Sequence, residues 1–144
     1  SVVATELDGG VRASNDKVAG SLELTPNVKA YKAGDIVEIK VSGKDLNAVN
    51  AIGFGLPYNT AEFEYVGVEL VGMKDMVNLT YDRLHSNGQK ALYPTFVNRG
   101  NNALLDNGSN HLFTIKLKAK KAGKFNLKAI DGILVDRNLG TIAF

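Results

Sequence analysis

Apolar and polar residues alternate along most of the chain, and turn-forming residues interrupt the alternation about every ten positions, a spacing typical of a β-sandwich. A period of two indicates half-buried β-strands. Nine strands are predicted on this basis, at residues 21–24, 36–41, 49–58, 62–70, 77–84, 89–98, 111–118, 124–135 and 140–144. No stretch has the apolar periodicity of an amphipathic helix, so we predict an all-β, nine-stranded sandwich.

Glycine, asparagine and aspartate mark the turns between these strands. Asn87 and Gly88 predict a two-residue hairpin turn, because both central residues of a type I′ turn need a positive φ. Gly132 predicts a bulge within the eighth strand. Residues 101–110 predict a loop.

The hairpin turn determines which side chains of the fifth and sixth strands share a face. A two-residue turn places four cross-strand pairs on the outer face: Leu84–Ala91, Asp82–Tyr93, Thr80–Thr95 and Asn78–Val97. The residues predicted to face the core are then Leu79, Tyr81, Leu92, Pro94 and Phe96. The third strand is predicted to point its large residues inward, namely Ile52, Phe54, Leu56 and Tyr58. Its outward residues are Val49, Ala51, Gly53 and Gly55.

The outward surface of these three strands is small and apolar for a face in contact with solvent. Such a flat face can accept a helix of a partner protein closely. Tyr93 is the predicted anchor, because aromatic residues dominate interface hot spots, and Asp82 and Asn78 are predicted polar groups at the rim. The full predicted partner-binding set is Ala51, Gly53, Asn78, Thr80, Asp82, Leu84, Ala91, Tyr93, Thr95, Val97 and, at the edge, Leu139. The alternatives are scattered surface apolar residues, which are normal, or cover by the N-terminal segment.

Length and composition narrow the function classes. The 144 residues suffice for one domain with a core of its own. Residues 1–20 are predicted to be a linker or an N-terminal edge segment, and residues 21–144 the sandwich module. The net charge of +2 is too small to predict nucleic-acid binding. No apolar run approaches the ~20 residues of a membrane span, and the chain has no cysteine for a disulfide or thiolate metal site. We expect a monomer in the unbound state.

No catalytic constellation stands out. Neither His85 nor His111 lies near a nucleophile motif. The carboxylate pairs Glu62–Glu64 and Asp131–Asp136 are better explained as solvated surface residues than as a glycosidase pair. Residues 106–110 offer oxygen ligands that suit calcium, but their spacing departs from the EF-hand rule, so a loop without an ion is the favoured interpretation. We therefore predict that the chain is not an enzyme and that it holds no metal.

Five segments, in this order, resemble the cohesin domain. Gly34 and Asp35 precede an alternating strand, and residues 50–59 and 63–68 resemble the third and fourth cohesin strands. Residues 111–118 resemble the seventh strand, and residues 133–139 resemble the Asp-x-x-Leu ending before the last one. The resemblance covers residues 21–144 and implies a jelly-roll sandwich. It also implies a non-catalytic protein-interaction module without a cofactor, which binds a calcium-holding dockerin on the sheet formed by strands 8, 3, 6 and 5.

Two departures from the cohesin pattern refine the resemblance. Tyr58-Asn59-Thr60 stands where the family usually has Tyr-Asp-Pro, and residues 84–89 carry a hairpin of their own. In both respects the chain is similar to the divergent cohesin-like modules of secreted clostridial glycoside hydrolases. This similarity implies a secreted or cell-surface bacterial protein, in which the chain is one module of a larger glycoside hydrolase.

Two other functions remain open. The first is a carbohydrate-binding module of a secreted glycoside hydrolase, although the chain has no tryptophan for a sugar-stacking platform. The second is a passive immunoglobulin-like spacer, which predicts a polar and charged outer sheet. The predicted small, apolar face disfavours the spacer.

Overall fold

The computed structural model describes residues 11–12, 19–47, 49–73, 76–84, 89–98, 111–136 and 141–143. These residues form two packed β-sheets and contain no helix. The prediction of an all-β sandwich is therefore confirmed. The predicted turn at Asn87 and Gly88, the loop at 101–110 and the edge residue Leu139 lie outside the described residues.

The first sheet has five antiparallel strands. They are, in spatial order, β1 (Val11–Arg12), β2 (Ala19–Pro26), β4 (Ile36–Asn47), β11 (His111–Ala119) and β6 (Phe63–Leu70). The strand predicted at residues 36–41 was too short, because residues 42–44 continue β4 by pairing with β2. Within the segment predicted as a linker or edge, β1 pairs with residues 21–22 of β2.

The second sheet is built around its longest strand, β5 (Val49–Asn59). On one side of β5 lie β13 (Ile130–Asp136) and β14 (Thr141–Ala143). On the other side, β10 (Thr95–Asn98) pairs with the first half of β5 and β9 (Gln89–Tyr93) with the second half. The outermost strands are β7 (Met76–Asn78), which pairs with β10, and β8 (Tyr81–Leu84), which pairs with β9. Beside the two sheets, β3 (Ala30–Tyr31) pairs with β12 (Gly123–Lys124).

The predicted count of nine strands is not confirmed, because several predicted strands are interrupted. Pro94 lacks a backbone N–H for the ladder and separates β9 from β10. Its carbonyl oxygen still accepts a hydrogen bond of 3.2 Å from the Phe54 N–H. A second interruption separates β7 from β8. There the Thr95 N–H donates a hydrogen bond of 3.2 Å to the side-chain hydroxyl of Thr80 and not to a backbone carbonyl.

The core lies between the two sheets and is dominated by aromatic and branched aliphatic side chains. Phe113 of β11 is fully buried and meets two rings of the second sheet. Its ring centroid is 4.6 Å from that of Phe96 and 6.2 Å from that of Phe54. The predicted inward positions of β5, β9 and β10 are all buried, as expected from their alternation. The prediction that Val49 points outward was wrong, since this residue is fully buried and belongs to the core.

The register of the β8–β9 hairpin differs from the predicted one by a single residue. Tyr81, not Asp82, lies opposite Tyr93, and β7 follows the same shift against β10. Because side chains alternate along a strand, a shift of one residue exchanges the two faces. The prediction that Leu79 and Tyr81 face the core was therefore wrong, since each is 50% exposed.

The predicted bulge at Gly132 is confirmed. The pairing of β13 with β5 passes from Ile130–Gly55 to Ile133–Gly53, so three steps along β13 match two along β5. Asp131 has a φ of 51° at this point, and Gly132 is buried. The extra residue turns both isoleucines to the outer side of the sheet.

Candidate functional site

The outer face of the first sheet is polar. Its side chains include opposite charges that lie directly across from each other, as in Glu38–Lys116 and Glu64–Lys118. Cross-strand pairs of this kind favour a solvated surface. Two exposed hydrophobic side chains, Ile36 at 42% and Val66 at 51%, also lie on strands of this sheet, beside the charged pairs.

The outer face of the second sheet is apolar. Four of its large hydrophobic side chains are exposed: Leu79 and Tyr81 at 50%, Ile130 at 43% and Ile133 at 38%. Tyr81 lies on β8 and Leu79 just before it, on one side of β5. Ile130 and Ile133 lie on β13, on the other side of β5. A contiguous exposed apolar surface is typical of a place where another molecule binds.

Two glycines form the floor between these side chains. A methyl group on Gly55 would lie 3.1 Å from both Ile130 Cγ1 and Tyr93 Cε1, so both side chains lean over this glycine. A methyl group on Gly53 would lie at ordinary contact distance, 3.6 Å from Ile133 Cγ2. Both glycines are buried, because neighbouring side chains fill the space above them, and the face is therefore flat along β5.

Two tyrosines stand together on one side of this floor. The rings of Tyr81 and Tyr93 stack with centroids 5.0 Å apart and planes inclined by 18°. The backbone next to Tyr93 is held by Thr95, whose hydroxyl donates a hydrogen bond of 2.9 Å to the Tyr93 carbonyl oxygen. The pair presents a rigid aromatic surface that needs little ordering on binding.

A polar cluster lies on the inner side of the same hairpin. Asp82 Oδ2 accepts hydrogen bonds from the Tyr58 hydroxyl at 2.8 Å and from Lys90 Nζ at 3.3 Å. Burial, followed by this hydrogen bond to Asp82, raises the pKa of Tyr58 well above its ordinary value. Burial and the Asp82 charge also raise the pKa of Tyr65, on β6 of the first sheet.

These pKa shifts predict a loss of stability in alkali. The unfolded chain releases the tyrosine protons near pH 10.0, whereas folded Tyr58 keeps its proton to higher pH. The folded state therefore loses stability as the pH rises above 10.0. The Tyr58→Phe variant is expected to lose less of its unfolding free energy between about pH 9 and pH 11, roughly one pH unit on either side of that value, in urea denaturation. Equal losses in the two proteins would contradict this assignment.

The structure brings only part of the predicted partner-binding set to the outer face. The members that lie there are Ala51, Gly53, Ala91, Tyr93, Thr95 and Val97. Of these, Gly53 and Ala91 are buried. The one-residue shift in register turns Asn78, Thr80 and Asp82 away from the outer face. Leu84 lies two residues after Asp82 in the same strand, so its backbone has the same orientation. Asn78 instead accepts a hydrogen bond of 2.9 Å from the Thr80 N–H. The prediction that Asp82 and Asn78 form the outer rim was therefore wrong.

Sequence reasoning missed four large apolar residues of this face: Leu79, Tyr81, Ile130 and Ile133. The signal for the isoleucines was available, because a bulge at Gly132 changes the face of every residue that follows it. No such signal existed for Leu79 and Tyr81, since their apolar character favours burial.

The described residues include no group of three or more His, Asp or Glu side chains arranged to hold a metal ion. His111 is engaged within the first sheet, where its Nε2 lies 2.8 Å from the Thr114 hydroxyl oxygen. His85 and residues 106–110 lie outside the part of the chain that the structure describes. No helix among the described residues is long and apolar enough to cross a membrane.

Residues 24–141 match the cohesin domain family. The chain belongs to the cohesin family. No curated protein matches the sequence. Cohesins are non-catalytic interaction modules, and this membership supports the expectation that the domain is not an enzyme.

Solved cohesin structures have the same fold at low sequence identity. A cohesin module from a Clostridium perfringens family 33 glycoside hydrolase is 13% identical, with a TM-score of 0.67 over 88% of this chain and 90% of that one. The sixth cohesin of an Acetivibrio cellulolyticus scaffoldin, in complex with a dockerin, is 12% identical, with a TM-score of 0.59 over 84% and 90%. The cohesin of a cohesin–dockerin complex from Clostridium thermocellum is 13% identical, with a TM-score of 0.57 over 84% of this chain and 90% of that one. These cohesin structures support the predicted jelly-roll sandwich.

Proposed function

We propose that this cohesin domain binds a dockerin through the outer face of its second sheet, and so links the protein that carries it to a dockerin-bearing partner. The contrast between the two outer faces carries the proposal. The first sheet presents cross-strand pairs of opposite charge beside the exposed Ile36 and Val66, whereas the second presents four exposed large apolar side chains around two glycines and an aromatic stack. Family membership and the dockerin complexes of two similar cohesins support the choice of partner.

The shape of the face fits a helix of the partner. Gly53 and Gly55 leave the centre low, while Ile133 and Tyr93 rise on opposite sides of β5. A helix laid along β5 would bury the exposed parts of these side chains without displacing the floor. The interaction is a docking of preformed surfaces, with no covalent step.

The family resemblance also suggests the biological setting. We propose that the domain is one module of a larger secreted or cell-surface bacterial glycoside hydrolase, as in the Clostridium perfringens protein that contains a similar cohesin. Calcium would be held by the dockerin, and the cohesin itself would need no cofactor. The carbohydrate-binding alternative is not favoured, because the family match is to an interaction module.

Isothermal titration with purified dockerin domains of secreted clostridial glycoside hydrolases tests the function. Saturable binding of one dockerin per cohesin in calcium is expected, and a chelator should abolish it. A pull-down from secreted clostridial proteins, with and without chelator, extends the test to native partners. Failure to bind any dockerin, together with saturable binding to mucin glycans, would show that the face binds sugars instead.

A methyl group at the floor should weaken the docking. In the Gly53→Ala variant the new methyl meets its neighbours at 3.6 Å or more, so the fold should accept it. The partner helix must then lift away from β5, and we expect dockerin affinity to fall by about fivefold, or ~1 kcal/mol. The matched control is Gly67→Ala on β6 of the first sheet, where a methyl meets nothing within 4 Å. Equal affinities of the two variants would exclude close approach at Gly53.

A further inference from the structure

The apolar pattern of β8 contradicts its orientation in the sheet. Leu79 and Tyr81 are each 50% exposed, whereas the side chain of the ionisable Asp82 is only 18% exposed. A shift of one residue in the pairing of β8 with β9 would bury the two apolar side chains and release Asp82 to solvent. The same shift would also turn Arg83, which is exposed opposite Ala91, toward the inner side, so the burial of Leu79 and Tyr81 favours the shifted register and the burial of Arg83 opposes it. The hydrogen bonds of Asp82 add a further contribution to the register that the protein adopts.

The contacts of Asp82 exist only in the observed register. Its Oδ2 accepts hydrogen bonds from Tyr58 on β5 and from Lys90 on β9, two residues that lie opposite each other. The carboxylate thus links three neighbouring strands on the inner side of the sheet. In the shifted register Asp82 would point outward, and the hydroxyl of Tyr58, a residue only 4% exposed, would lose its acceptor. Leaving a buried hydroxyl without a partner is unfavourable.

A carboxylate at position 82 does not give the domain its highest possible stability. Its Oδ1 is buried and has no hydrogen-bond partner among the described residues. An apolar side chain of similar volume would avoid the desolvation of this carboxylate. Partly buried polar groups are best attested where they specify one register among several. The surroundings of Asp82 match that role.

We propose that Asp82 is a positioning residue, whose inward hydrogen bond to Tyr58 selects the register of the β8–β9 hairpin and so places Tyr81 beside Tyr93 on the outer face. Asp82 itself does not lie on that face. The statement about register concerns the free protein, whereas its effect on partner binding rests on the proposed function. Asp82 would then control the aromatic part of the binding face from the opposite side of the sheet.

NMR of the free protein tests the register directly. Cross-strand contacts between the backbones of Tyr81 and Tyr93 are expected in the wild type and in Asp82→Asn, whose amide oxygen can still accept the Tyr58 hydrogen bond. In Asp82→Ala these contacts should give way to contacts between position 82 and Tyr93, while those of the core pair Phe96–Phe113 persist. An Asp82→Ala protein that keeps the Tyr81–Tyr93 contacts would overturn the proposal. So would an equal loss of these contacts in both variants.

Dockerin titration provides the second readout. We expect Asp82→Ala to bind about tenfold more weakly than wild type, and Asp82→Asn to stay within about threefold of it. Lys90→Ala is the control, since an ion pair with a lysine as exposed as Lys90 contributes little. A purely structural role would lower the stability of Asp82→Ala and leave its affinity unchanged. If the wild type binds no dockerin, the proposed function fails, and the NMR contacts alone still decide the register.

Discussion

Replacing Tyr93 with alanine is expected to remove about 2 kcal/mol or more of the binding free energy for a dockerin, or ~30-fold in affinity, while the domain stays folded. The ring of Tyr93 leans over Gly55 and stacks on Tyr81, so its loss removes the centre of the aromatic surface. Because the ring lies on the outer side of the sheet and not in the core, its removal leaves no core cavity. Isothermal titration calorimetry measures the affinity, and thermal denaturation checks the fold.

Two further variants make the Tyr93 result specific. Tyr93→Phe retains the ring and should retain most of the affinity, since the stack with Tyr81 depends on the ring. Lys118→Ala, on the charged face of the first sheet, should bind as tightly as the wild type. An unchanged affinity of Tyr93→Ala would mean that the dockerin binds elsewhere on the domain.

Replacing Phe113 with alanine is expected to lower the free energy of unfolding by about 3–5 kcal/mol, the usual cost of truncating a buried phenylalanine. Phe113 is fully buried and connects the sheets through its contacts with Phe96 and Phe54. Its removal leaves a cavity at the centre of the sandwich, and the neighbouring aromatic rings cannot fill it without breaking their own packing. Urea denaturation followed by circular dichroism measures the change.

Val66→Ala is the matched control for Phe113. Val66 lies on the edge strand β6 and is 51% exposed, so its truncation should change stability by less than about 0.5 kcal/mol. A loss below about 1 kcal/mol in Phe113→Ala would contradict the picture of one continuous core between the sheets.

Except at Val49, the predicted orientation of the side chains of β5, β9 and β10 agrees with the structure, because the large residues alternate with small ones there. Along β5 the large residues are buried and the glycines lie outward, which fits one face against the core and one low floor. The predicted outward placement of Gly53 and Tyr93 follows from this agreement.

The register of the β8–β9 hairpin could not be predicted from the apolar pattern. A two-residue turn at Asn87 and Gly88 would have placed Asp82 opposite Tyr93, yet Tyr81 takes that place. The pattern ranks Tyr81 as buried and Asp82 as exposed, because it evaluates each residue by its affinity for water alone. It cannot include the buried Tyr58 hydroxyl, which comes from another strand and needs an acceptor at this position.

The sequence by itself determined the fold class, the approximate positions of the main strands and, through the order of its motifs, the family. These properties follow from local alternation and turn residues, which act over a few neighbouring positions. Only the tertiary structure decided the composition of the outer face: the exposed pair Tyr81–Tyr93, the two isoleucines turned outward by the bulge, and the inward Asp82. Strand register depends on contacts between residues far apart in the chain, and one residue of shift exchanges the two sides of a strand.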